Sequence, residues 1–148
     1  MTKTFTGRVV VPGTVSATAL VSYGGLNTLA SFQKALQFGD KESTCGDQNN
    51  PDLYGKKMRG KALCLPATIG STTGGLVLYC AVAMDRQPAC LLFSEEIDSL
   101  AAAGASCKTC GWATPRHAGD RLPGRGVLSY VADGMTVTVT QNGSVVVD

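Results

Sequence analysis

With 148 residues, 44% of them apolar, and a formal net charge of +2, the chain fits one domain able to bury a sizeable core. So small a charge sets up no field that would recruit nucleic acid, and no run of about 18 apolar residues exists to span a membrane. The start Met1–Thr6 lacks an apolar stretch of the kind an export signal carries, so a cytoplasmic setting with reduced thiols is expected despite six cysteines.

Residues 5–22 alternate (Phe5, Gly7, Val9 and Val11, then Val15, Ala17, Ala19 and Val21) about Pro12-Gly13, which predicts two strands around a turn. Tyr23–Asn27 is a break in which Gly24 and Gly25 permit unusual backbone angles. Residues 28–40 fit either a short helix or an irregular arm, with Leu29, Phe32, Leu36 and Phe38 as the apolar positions. From Gly39 to Lys57 the chain is polar and rich in Asp, Asn and Gly, a long loop of the kind that often carries function. The basic run at Lys56, Lys57, Arg59 and Lys61 has no interleaved aromatics and reads as the solvated end of a strand.

Lys61–Leu65 has the length and apolarity of a buried strand, and 74–84 reads as a buried helix ended by Asp85-Arg86-Gln87-Pro88. Ala89–Phe93 is a second buried strand, so the three make a βαβ unit with a parallel pair. Ser94-Glu95-Glu96 resembles a cap for a helix over 95–103 that Gly104 ends. Val127–Val147 alternates again, and Asn142-Gly143 marks a hairpin. Cys64, Cys80 and Cys90 lie in apolar segments and read as small buried hydrophobes, whereas Cys45 sits in the polar loop.

Candidate chemistry gathers at Pro66–Gly75, where a glycine turn with the three hydroxyls of Ser71, Thr72 and Thr73 is set between the strand and the helix. In α/β folds a ligand binds at such a place, because the first N–H groups of a helix lack intrahelical partners and carry partial positive charge. Ser and Thr are equally what a helix start uses to cap itself, and spacing alone leaves both readings open. The turn has no lysine before its hydroxyls, so it is not a nucleotide P-loop. Cys107 and Cys110 form a lone C-x-x-C: half a zinc site with Cys45 or His117, a redox pair, or coincidental loop thiols. His117 reads as a surface-loop histidine, and no nucleophile elbow is present. A self-contained active site is not visible.

The order of landmarks resembles the small subunit of aconitase X, the swivelling-domain family related to aconitase and isopropylmalate isomerase. These landmarks are Ser22–Asn27, Tyr54–Lys56, Gly60–Pro66, Gly70–Gly74 and Gln87–Phe93, and the resemblance extends over most of the chain. The resemblance implies an α/β fold over residues 1–148, a swivelling β/β/α domain like the C-terminal domain of aconitase. It also implies a large partner subunit that holds an iron–sulfur cluster, the pair dehydrating a small hydroxy acid. Ser71 falls where aconitase-like enzymes carry the serine general base, and Thr72 falls on their second serine. Thr73 stands at the position of a carboxylate-clamping arginine, and a neutral hydroxyl cannot make that bidentate contact. The implied site is therefore Ser71 as base, with Gly70, Thr72 and Thr73 on the substrate and Gly24, Gly25 and Asn27 as a second wall. Within the family cis-3-hydroxy-L-proline is the expected substrate and phosphomevalonate the alternative. Outside it stand a non-catalytic binding module of the same fold and a metal-binding domain on Cys107 and Cys110.

Overall fold

The computed structural model describes residues 2–11, 13–69, 73–94, 110–113 and 125–148. Among these the chain runs β1 (Lys3–Thr6), β2 (Arg8–Val11), β3 (Val15–Val21), β4 (Leu26–Asn27), α1 (Thr28–Gln37), β5 (Ala62–Leu65) and β6 (Thr68–Ile69). It continues through α2 (Gly74–Ala83), β7 (Cys90–Phe93), β8 (Cys110–Ala113), α3 (Arg125–Tyr130), β9 (Thr136–Val139) and β10 (Ser144–Val147). The expected helix at 95–103, with Glu95 and Glu96, lies outside the described residues, as do Cys107 and His117. Cys110 and Trp112 fall on β8, a strand the sequence does not announce.

Strand β3 joins the two halves of the architecture. Its first half, Val15–Thr18, pairs antiparallel with β9, while its second half, Ala19–Val21, pairs parallel with β5. The parallel half continues through β7 to β8, with β2 antiparallel at the end, and the other half continues through β10 to β1. β1 and β2 stand at opposite ends of this order yet only Gly7 separates them, so the sheet curls until its edges approach. The alternating run at 5–22 therefore yields three strands and not two. β2 and β3 pair elsewhere rather than with each other, because alternation marks a strand's faces without naming its partner.

The expected βαβ unit is present, with β5 and β7 parallel from Ala62↔Cys90 to Leu65↔Phe93. Both strands are buried on both faces, which explains their unbroken apolar sequences. Leu63, Leu65, Leu91 and Phe93 turn to one core with Phe32 of α1 and Leu78 of α2. Ala62, Cys64, Cys90 and Leu92 turn to a second core with Val137 and Val145 of the antiparallel half. Helices, parallel sheet and antiparallel sheet thus form three layers. The hairpin at Asn142-Gly143 joins β9 to β10, and Gly143 takes a φ of 90° there.

Other expectations are resolved, some as stated and some otherwise. Residues 28–37 are a helix, with Thr28, Ser31, Phe32 and Ala35 buried along one face. Residues 125–130 are also helical, and the alternating pattern begins only at β9. α2 is apolar all round but only half buried: Leu76 is 62% exposed and Tyr79 51%. Cys80 on that helix is partly exposed, while Cys64 and Cys90 are fully buried as expected. Cys45, in the polar loop, is fully buried beside Leu53 and Met58, so these three anchor the loop to the helix-side core. The basic run is solvated, with Lys56 paired to Asp133 at 2.7 Å and Arg59 to Asp85 at 3.0 Å. No helix among the described residues is long and apolar enough to cross a membrane.

Candidate functional site

A two-stranded parallel ladder builds the site's framework. Leu26 pairs with Thr68 and Asn27 with Ile69, so β4 and β6 run side by side in the same direction. β4 passes directly into α1, and residues 70–73 separate β6 from α2, so each strand of the ladder precedes one helix start. The two starts are also close together: a Cβ added to Gly74 would lie 3.1 Å from the Thr28 hydroxyl. The sequence-predicted residues Gly24, Gly25 and Asn27 are thereby brought beside the segment that enters the hydroxyl turn. Gly70, Ser71 and Thr72 themselves lie outside the described residues.

The two helix starts differ. Asn27 is in extended conformation, and its side-chain oxygen accepts from Ala30 N at 3.2 Å, a regular N-cap. Thr73 stands at the same position of α2 in helical conformation and makes no side-chain capping bond. The first N–H groups of α2 are thus not consumed by its own cap residue, and no acidic side chain occupies its first turn.

Gly24 and Gly25 do not adopt positive φ, contrary to the expectation of unusual angles. Gly25 is required for space: a Cβ there would meet the Ile69 side chain at 2.5 Å. Close approach of β4 to β6 is what the glycine permits.

The surrounding loop is held by residues that sequence reasoning missed. Ser22, fully buried, donates to Gly24 O at 2.8 Å and accepts from Gly24 N and from Asn50 Nδ2. Asp52 accepts from Tyr23 N at 2.8 Å, and Asp133 accepts from Val21 N at 2.7 Å. Burial works against the Asp133 carboxylate, but the bonds from Lys56 and from Val21 N outweigh it and hold its pKa below the ordinary value. Burial, with Asp133 adding to it, pushes the neighbouring Cys64 thiol up to about 12, so this cysteine is no nucleophile at neutral pH. The Asn50-Pro51 dipeptide is a turn signal in the sequence, but nothing local shows that it turns against Ser22.

Among the described residues no three His, Cys, Asp or Glu side chains converge on a point that would hold a metal.

The chain superposes on the crystal structure of Thermococcus kodakaraensis aconitase X in its holo-form with a TM-score of 0.75 at 23% identity, covering 99% of this chain and 98% of that one. The solution NMR structure of a UPF0107 protein matches with a TM-score of 0.76 at 21% identity, covering 97% of each chain. At such identities the likeness defines a class, that of a three-layer swivelling α/β domain. A search of curated proteins gives no match. The family model for the aconitase X swivel domain matches residues 4–147, and the chain belongs to that family.

Proposed function

We propose that this chain is the small subunit of a two-subunit hydro-lyase, a single swivelling domain over 1–148 that works in the cytoplasm against a large aconitase X subunit. The observation that carries the reading is the β4–β6 ladder, which sets the Gly24–Asn27 segment alongside the approach to α2, whose cap residue makes no side-chain bond to the first N–H groups. Exposed apolar side chains at Tyr23, Ile69 and Leu76 border this region and suit a surface that another polypeptide covers.

In this reading Ser71 takes the α-proton of a small hydroxy acid. A serine hydroxyl serves as a base only where its oxyanion is stabilised by fixed donors in a water-poor site, and the start of α2 provides the donors. Gly70, Thr72 and Thr73 hydrogen-bond the substrate, while Gly24, Gly25 and Asn27 form the facing wall. On the family likeness, the iron–sulfur cluster is assigned to the partner subunit.

The favoured substrate is cis-3-hydroxy-L-proline. Phosphomevalonate is the second reading, and it needs a cation for its phosphate. Lys56 is already engaged by Asp133, which also accepts from Val21 N just ahead of the Ser22–Asn27 segment. The test is to reconstitute the pair and assay both substrates. Ser71→Ala should abolish dehydration while the complex still assembles; undiminished turnover by that variant removes Ser71 from the reaction.

A further inference from the structure

The long loop between α1 and β5 has a role in the site that its sequence does not announce. Asn50 is 3% exposed, and every part of its side-chain amide that forms a bond here is turned to the Ser22–Gly25 segment or to its own turn. Its Oδ1 accepts from Asp52 N and Leu53 N, both at 3.2 Å, which fixes which way the amide faces. Its Nδ2 is therefore directed at Ser22 Oγ, 3.0 Å away, and at Gly25 O, 3.4 Å away. Ser22 passes the constraint on by bonding both backbone groups of Gly24. Asp52, two residues along the same turn, holds Tyr23 N.

The backbone donors from Val21 to Leu26 can be accounted for one at a time. Val21 N is held by Asp133, Ser22 N by Cys64 O, Tyr23 N by Asp52, Gly24 N by Ser22 and Leu26 N by Ala67 O. Gly25 N has no acceptor among the described residues. These bonds thus frame one donor, the Gly25 N–H, that meets no acceptor among the described residues, in a segment whose glycine is packed against Ile69.

We infer that Asn50 is a positioning residue: through Ser22 and Gly25 it fixes the Gly24–Gly25 wall so that the Gly25 N–H is presented to the substrate. This rests on the hydro-lyase reading above for what the wall binds, although the clamp itself stands on the geometry of this chain. Displacing a substrate-orienting group by about 1 Å is enough to cost on the order of 100-fold in rate, so a loosened wall is visible in kcat.

The discriminating variant is Asn50→Asp, which keeps the acceptor for Asp52 N and Leu53 N and loses both donors at neutral pH. Two readouts apply. In the isolated 15N-labelled chain, the Gly24 and Gly25 amide signals should shift and broaden while those of β9 and β10 stay in place. In the reconstituted complex, kcat should fall by at least about tenfold with KM changed less than about threefold, at a temperature well below melting. Glycine signals that do not move, or moved signals with kcat within twofold of wild type, overturn the inference. If the wild-type pair turns over neither hydroxy acid, the functional reading fails on its own and the glycine signals alone decide the clamp. Should Asn50→Asp not fold, Ser22→Ala carries the same two readouts, since it keeps the amide and its bonds to the turn.

Discussion

The two helices α1 and α2 start side by side, each after one strand of the same ladder, and they are built on opposite plans. α1 is amphipathic, begins at a side-chain cap and buries Phe32 and Ala35 along one stripe. α2 is apolar around its circumference, begins at a residue that gives no side-chain cap, and leaves Leu76 and Tyr79 in solvent. A helix that only has to support a fold satisfies its own end and hides its apolar face. α2 does neither with its own cap residue or its outer side chains, and under the proposed function a substrate would lie at its start and a partner subunit along its outer side.

The contrast can be broken at three points. The largest effect is expected at the α1 cap: Asn27→Ala removes the bond to Ala30 N and should cost about 1 kcal/mol in urea-monitored unfolding. A loss of only a few tenths would mean that the Asn27 side chain is held for the site and not for the helix.

Next in size is the ion pair that ties the loop to the end of β3. The Asp133 carboxylate titrates below its ordinary value of about 3.9, so its contribution is fully present above that pH and is lost as pH falls through the depressed value. Asp133→Asn should be less stable than wild type at neutral pH by less than the cap variant, because the pair is nearly half exposed. The gap should close progressively below about pH 4, as melting temperatures across the acid range will register. A gap constant with pH would assign the effect to packing and not to charge.

The smallest effect on stability is expected on the outer face of α2. Leu76→Ala should alter unfolding of the isolated chain by no more than about 0.5 kcal/mol, since the side chain is mostly in water. The same variant should weaken assembly with the large subunit, measurable by titrating one subunit into the other. Unchanged affinity would place the partner elsewhere.

Much of the core was legible because burial on both faces writes itself as an unbroken apolar run, as in Leu63-Cys64-Leu65 and Cys90–Phe93. The hairpin at Asn142-Gly143 was legible because a tight turn needs a residue that tolerates positive φ. The site was legible only as a likeness of landmarks. β4 and β6 are two residues each, too short to show any period, and Gly25 signals closeness to Ile69 only once both are in place. Asn50 and Cys45 sit in a polar stretch whose composition says loop, and their burial comes from folding back over Ser22 and Leu53.

What the sequence determined by itself was local: which segments alternate, which run apolar, where glycine and proline stop them, and which family the succession of landmarks resembles. The tertiary structure alone decided that β3 serves two sheets, that the Asn50 turn clamps the glycine wall, and that one face of α2 stays open. Periodicity encodes which side of an element is apolar and carries no information about what lies opposite. That choice is made by contacts between residues far apart in the chain, and it exists only once they meet.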